Sequence, residues 1–576
     1  MSTMRTGVKA LALLTGSVLA LSACATSSSG GSGGTSASSS ATTAPVTVTW
    51  AYEQEFTGYN ANTTTGITSA NIAVLNQVVR GFWQFDAKGD IAPDTEFGTY
   101  QKTSDSPLTV KYTINPKAVW SDGTPINCDD ISLAWLANSG VTGAKGFAAA
   151  GTAGYEDMNK PDCKGTDQTF TITYKKVFAD WSSEFGVGVI LPAHIVEAQA
   201  GMTKKFTDYV DTPTSPELAK AIAFYNTGWD INPGAVKPAI MPSSGPFKID
   251  SAVAGQSLTE KANDKWWGTP PKASTIVFRI IAGNAMAQAL QNGEANIMKP
   301  QPQVDIVNQL KALGNKVKVT FGDDFTQEHL DFNIKGEFKD VRTRQAFALC
   351  TPRQQIVDNL VKPLNPNAKV MESRFIFPFQ PTYADFITGI GSDAYDKVDI
   401  AKAKSLLAAA GKTGMTVRIG WRKDPEPNKR RVDTIALIQA SCNQAGFKVV
   451  DKGTPTFFDK ELPAANFDVA LFGFSGSTLV TQNKAIFGTG QGQNPQGYTN
   501  PKVDALLDQL DQTTDPDQQV KLMKQADTIL WTDMMSLPLF PFAAVMATTA
   551  NTSGVTYNPT SADLTWDAYN WTISKT

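Results

Sequence analysis

The sequence predicts an α/β fold spread over two or three domains, and three observations support this. Helical patterns that end at glycine alternate with strands: Asn284–Asn292 stops at Gly293 before Ala295–Met298, Ala401–Ala410 at Gly411 before Val417–Trp421, and Asn428–Ala445 at Gly446 before Phe447–Val450. Glycine accepts the left-handed backbone that closes a helix, and strand–helix–strand order is that of a mostly parallel sheet. The chain has 576 residues, more than one core serves. Its 41% hydrophobic and 18% charged content is that of a globular protein.

The chain opens on a leader. Arg5 and Lys9 form a short basic region, and Val8 to Ala20 is mostly apolar. That run is shorter than the roughly 20 residues a bilayer span demands, so it reads as an export signal. It closes on Leu21-Ser22-Ala23-Cys24, which resembles the lipobox of bacterial lipoproteins. The resemblance implies cleavage before Cys24 and lipid on its thiol, with residues 1–23 lost. Residues 24–45 then carry the lipidated cysteine and a Ser/Gly/Thr/Ala tract that cannot bury a core, a flexible linker.

Order begins at the alternating strand Val46–Ala51, followed by the polar and aromatic loop Glu53–Asn60. Ile72 to Phe85 has helical apolar spacing. Leu108–Ile114 alternates as a strand, Asp122-Gly123 marks a turn, and Asp129-Asp130 cap a helix bearing Ile131, Leu133 and Leu136. Thr169–Tyr174 and Val187–Leu191 read as strands, the latter running into a helix at Pro192. Phe247 onward and Ile276–Ile281 are strands. Glu328–Asn333 is another, and Val341–Val361 is a long helix jointed at Pro352. Phe467–Phe474 is a late strand, and Lys502–Leu510 and Asp517–Trp531 are helices before a tail of strand and coil. Leu537–Met546 is strongly apolar, but two prolines and its length argue against a span.

Charge narrows the function. The formal net charge of −3 becomes −5 once Arg5 and Lys9 leave with the leader, which argues against nucleic acid as a partner. With Cys24 assigned to lipid, Cys128, Cys163, Cys350 and Cys442 remain. An even remainder in an exported chain suggests two disulfides, and sequence alone leaves all three pairings open. No pair has the spacing of a metal site, and no metal or cofactor is expected. His194 and His329 read as structural histidines, and neither a nucleophile elbow nor a P-loop occurs. An enzyme is therefore not expected.

Several blocks together resemble the extracytoplasmic solute-binding proteins of the peptide/opine/nickel class that serve ABC importers. They include Val110-Lys-Tyr-Thr-Ile with Val119-Trp-Ser-Asp-Gly-Thr-Pro, Ser244-Gly-Pro-Phe-Lys-Ile with Trp266-Trp-Gly, and Ala289-Leu-Gln-Asn-Gly-Glu-Ala. Phe338-Lys-Asp-Val-Arg-Thr-Arg-Gln-Ala-Phe-Ala, Ala401-Lys-Ala-Lys-Ser-Leu-Leu and Gly497-Tyr-Thr-Asn-Pro-Lys-Val follow in the family's order. The cysteines resemble those of actinobacterial members. The resemblance implies a two-lobed periplasmic-binding-protein fold of type II, with mixed sheets and an extra domain. Domain I would combine 46–76, 240–325 and 540–576, domain II would be an insert at 77–239, and domain III would run over 326–539. Crossings near 325 and 540 would form the hinge. The pairings Cys128–Cys163 and Cys350–Cys442 are then favoured, since each lies within one domain.

The resemblance also implies a ligand cleft. Its matching positions are Glu53, Gln54, Glu55 and Phe56 after the first strand, and Phe474, Ser475, Gly476 and Ser477 after the late strand. Trp421, Arg422 and Asn428 would face the same cleft, Arg422 as a carboxylate receiver. The plainer readings are a core position for Phe474 and solvated charges for Arg422, Glu53 and Glu55. Ser477 stands where peptide binders of the family carry an acidic residue, and Leu471 where they carry an Arg. An oligopeptide held by its backbone, delivered to membrane permease subunits by a monomeric receptor lipid-anchored to the outer face of the cell membrane, is the expectation. A sugar, nickel chelate or haem on the same scaffold, and a secreted hydrolase or sensor, are the alternatives.

Overall fold

A computed structural model of the chain describes residues 45–232, 234–424 and 428–574. The leader, Cys24 and the linker lie outside the described residues. Among those described, no helix is long and apolar enough to cross a membrane.

The backbone of the molecule is a ten-stranded sheet. Its strands are β1 (Thr47–Tyr52), β2 (Phe247–Val253), β3 (Ser257–Ala262), β4 (Thr275–Ile280), β5 (Ile297–Met298), β6 (Val317–Phe332), β7 (Thr416–Gly420), β8 (Lys448–Asp451), β9 (Val469–Ser475) and β10 (Ser536–Thr549). Their order is β8-β7-β9-β6-β10-β5-β1-β4-β3-β2. The expectation of a mostly parallel sheet is corrected: the sheet is mixed. Parallel pairing is confined to β8–β7–β9 and β5–β1–β4. Those strands are reached by crossovers such as α1 (Gly283–Gln291) between β4 and β5, and α2 (Lys429–Cys442) between β7 and β8. The meander β2–β3–β4 and the long strands β6 and β10 pair antiparallel.

β6 and β10 join the two halves of the sheet. Val317–Asp323 pairs with Ala543–Thr549, and Gln327–Asp331 with Ser536–Pro541, with register shifts at 323–327 and 328–329. The shifts are bulges, and they bend the strand pair where the expected crossings near 325 and 540 fall. Gly98–Asp105, Leu108–Ile114 and Thr169–Thr173 form a separate, antiparallel three-stranded sheet. Two large cores form. One packs Trp50, Trp120, Tyr112 and Phe185; the other packs Phe347, Trp421, Leu471 and Trp531, and runs from the far half of the sheet through β10 to Leu290 and Met298 in the first half.

Three local expectations fail for identifiable reasons. The helix at Ile72–Phe85 is only Ser69–Leu75. Val78, Val79 and Phe82 are fully buried, and the Val78 carbonyl accepts the Ser244 amide while the Phe82 amide donates to the Phe185 carbonyl, so the two groups that a continuing helix would pair are bonded elsewhere. Val187–Leu191 is turn rather than strand. The helix Cys128–Asn138 is capped by Asn127 rather than by the Asp129-Asp130 pair, and Asp130 closes the capping box by accepting the Asn127 amide at 3.0 Å. Disulfides link Cys128 to Cys163 and Cys350 to Cys442.

Candidate functional site: the cleft at the strand crossing

Strand direction marks a candidate site. β5 runs with β6, and β9 runs against it. The carboxyl ends of β1, β4 and β5 in one half therefore point at those of β7 and β9 in the other, across the bulge at 323–327. Loops at carboxyl ends of parallel strands are where α/β sheets present ligand-binding groups.

From the first half, β1 ends at Tyr52 and runs into the expected loop. Glu53 accepts the Gln301 amide at 3.4 Å, and burial pushes its carboxyl up. Gln54 is exposed, Glu55 accepts the Gly255 amide at 3.1 Å, and Phe56 is buried in the core. Beside them lies an ionic cluster that no sequence pattern marks. Lys299, the residue after β5, sits 3.3 Å from Asp324 in the bulge and 3.2 Å from Asp563, over the ring of Tyr557. Burial pulls the ammonium down, and Asp563 and Asp324 more than offset it, so its pKa is raised. Tyr557 donates its hydroxyl to Asp324. Asp563 holds φ +51°, a left-handed backbone that costs a non-glycine residue energy and marks a position the surroundings enforce.

From the second half, β9 delivers Phe474, stacked on His329 at 4.6 Å and 11°, and Ser475, whose hydroxyl meets that of Thr326 at 3.0 Å. The Gly476 amide donates to the Phe325 carbonyl at 2.5 Å. Ser477 accepts the Leu479 amide at 3.2 Å, and its carbonyl accepts from Gln482. His329 is thus a packed structural histidine, as is His194, which meets Asp122 at 2.8 Å. Phe325 packs against Phe377 and the half-exposed Phe379 at 5.1 and 4.9 Å.

The third expected segment divides. Trp421 is fully buried, its indole donating to Asp451 at 2.7 Å, so it is a core residue here and offers no surface to a ligand. Arg422 is half-exposed and paired with Asp424 at 3.1 Å. Asn428 caps α2, accepting the Arg431 amide. Behind it Arg431 and Arg430 reach the buried Glu328 at 2.6 and 3.5 Å; burial pushes that carboxyl up, but the two guanidiniums hold it below the usual range. Arg430 lies over the Phe542 ring at 4.4 Å.

The cleft is bridged at one side. The Thr478 hydroxyl donates to the Gly89 carbonyl at 2.8 Å. Asp180 accepts the Val480 amide at 3.2 Å, and the Thr481 amide and hydroxyl at 2.9 and 2.7 Å. The Ala179 amide donates to the Asp511 carbonyl at 2.8 Å. Gly89 makes this approach possible, since a Cβ there would lie 2.4 Å from the Phe325 ring.

Two sheet halves joined by crossing strands, with loops converging on the crossing, define a two-lobed binding protein of the periplasmic type. Residues 98–496 match the bacterial extracellular solute-binding proteins, family 5 (Middle), and the chain belongs to that family of solute-binding, non-enzymatic components of ABC transporters. An uncharacterized lipoprotein of Mycobacterium tuberculosis is 29% identical over 540 residues, covering 90% of this chain and 91% of its own. The oligopeptide-binding protein OppA of Mycobacterium bovis is 27% identical over 490 residues, covering 80% and 75%. Among solved structures, a periplasmic EDTA-binding protein, EppA, superposes with TM-score 0.80 at 22% identity over 92% of this chain and 97% of its own. The oligopeptide-binding protein AppA of Bacillus subtilis superposes with 0.68 at 20% identity over 92% and 100%.

Proposed function

We propose that this chain is the lipid-anchored, substrate-binding component of an ABC importer, which closes two lobes on an oligopeptide and hands it to the permease. One observation carries the reading. The cations around the cleft are already taken by carboxylates, Lys299 by Asp324 and Asp563, Arg430 and Arg431 by Glu328 and Arg422 by Asp424, while Glu53 and Glu55 are turned to the amides of Gln301 and Gly255. What remains for a ligand is aromatic surface at Phe379 and Phe474, the edge of β9 that faces away from β6 beyond Ala470, where its pairing with β7 stops, and the loop Glu53–Phe56. That is the chemistry of a peptide held by its backbone with tolerance of side chains. The relatives named for oligopeptide binding agree with it.

In this reading domain I comprises 46–76, 240–325 and 540–576, domain II 77–239 and domain III 326–539, with the hinge at the bulge of β6 and the facing part of β10. The protein works as a monomer tethered to the outer face of the membrane through Cys24. Native mass spectrometry of the purified protein tests the ligand: a co-purified mixture of peptide masses is expected, and a single sugar or metal-chelate mass would overturn the peptide. Cys24→Ala tests the anchor, with release into the medium expected and retention at the membrane contradicting it.

A further inference from the structure

Beside the cleft lies an apolar cavity of about 190 Å³. Ile67, Ile72, Leu75, Trp83, Phe85 and Val187 form its walls, and Ala562 forms part of its floor. Its position follows from the chain: Ala562 precedes Asp563, the partner of Lys299, and Phe85 leads into the turn whose Gly89 carbonyl receives Thr478. One short segment thus offers a charged residue to the cleft and an apolar one to the cavity.

The lining selects the occupant. No charged side chain contributes to it. The amides of Asn62 and Asn76 are turned to the carbonyls of Gly188 and Ala562, and the Gln84 oxygen accepts from Arg80. The unpartnered Trp83 indole N–H and the Ser561 hydroxyl are also in the lining, but a charged group entering there would lose its hydration without a counter-ion. An apolar cavity of roughly 150 Å³ is large enough for benzene, so this one admits an isobutyl or benzyl group. At its rim Ile67 is 54% exposed, the most exposed large hydrophobic side chain among the described residues. An isoleucine left in water beside an apolar cavity is the signature of a surface that something apolar covers.

We infer that this cavity is a specificity pocket that takes one aliphatic or aromatic side chain of the bound ligand. The inference rests on the oligopeptide reading, and it adds a preference that the backbone-held segment cannot supply. Burying such a side chain is worth about tenfold or more in affinity.

Equilibrium retention of a randomised pentapeptide mixture by the full chain, read by mass spectrometry, tests it. The wild type is expected to enrich peptides bearing Leu, Ile, Met or Phe at one position about tenfold over those bearing Ser or Asp there. Ala562→Phe fills the floor and Ile67→Asp charges the exposed rim without touching the core; in both the ratio is expected to fall towards one. A ratio that persists in both variants, or no preference in the wild type, overturns the pocket while leaving the oligopeptide reading standing. Retention of no peptide overturns that reading, and removes the proposed occupant with it.

Discussion

Replacing Asp180 by alanine tests whether the hydrogen bonds across the cleft govern ligand affinity. The carboxylate accepts two main-chain amides and one hydroxyl from Val480 and Thr481. In an opened molecule those groups and Asp180 all face water, so the substitution removes only what closure gains. A hydrogen bond to a charged group contributes about 1.5–3 kcal/mol net. Against three of them stands the cost of burying the carboxylate, which raises its pKa even though Thr481 and Val480 pull it down. A net of about 2 kcal/mol shifts closure roughly thirtyfold. When the ligand binds only the closed form, its apparent Kd weakens by up to the same factor, reaching it where the ligand-free protein is mostly open, although Asp180 lies outside the proposed ligand-binding segments. Small-angle scattering of the ligand-free protein and calorimetric titration with a peptide retained from the randomised mixture measure the two effects. The variant is expected to be more expanded where the ligand-free protein is mostly closed, and to bind up to about thirtyfold more weakly where it is mostly open. An unchanged radius of gyration together with a Kd within about twofold of wild type would refute the reasoning.

Other outcomes follow from the buried groups. Unfolded aspartates release their protons near pH ~4, whereas burial pushes Asp130 and Asp567 up to about 7 and Asp323 and Asp511 up to about 6. The folded state holds more protons between those limits, so stability falls as pH rises from about 4 to about 7. Calorimetry should show a higher unfolding temperature near pH ~5 than near pH ~8, and the reverse order would contradict the assignment; Glu328, held low by its arginines, loses its contribution only below this window. Arg374 and Asp527 form a fully buried pair at 2.8 Å, with Arg374 over the Trp531 ring. Asp527→Ala leaves the guanidinium uncompensated and should cost about 3–5 kcal/mol in urea unfolding; a loss under about 1 kcal/mol would show the pair is solvated. The disulfides close spans of 92 and 35 residues. Chain entropy assigns about 4.6 kcal/mol to Cys350–Cys442 and about 3.8 kcal/mol to Cys128–Cys163, so paired alanine variants should destabilise in that order. Phe474→Ala strips the ring stacked on His329 and should weaken peptide binding about tenfold; unchanged affinity would move the cleft elsewhere.

Much of this architecture is legible in the sequence where the signal is local. The glycine-closed helices before β5, β7 and β8 are local chemistry, and they appear as expected, whereas Asn428, expected in the cleft, caps α2 instead. The direction of strands is not local. Nothing in Val317–Phe332 announces a strand that serves two halves of a sheet, so the mixed topology emerges only from pairing. Trp421 shows the same limit in the site. Its place after a strand points to the cleft, but Asp451 and the backbone of Gly453 draw the indole into the core. Lys299, Asp324 and Asp563 lie far apart in the chain and carry no motif. The Asp323-Asp324 doublet inside a strand pattern is their one visible trace.

The interleaving of the sheet also sets an order in time. β1 finds its register against Thr275–Ile280 and Ile297–Met298, and β5 and β6 find theirs against Ser536–Thr549. The first strand to be made waits for the middle of the chain, and the sheet closes only when nearly the last strand arrives. Such non-local pairing is slow to form. A chain built this way stays unfinished while it is being synthesised, the condition in which a polypeptide bound for the far side of a membrane is still thin enough to be threaded through it.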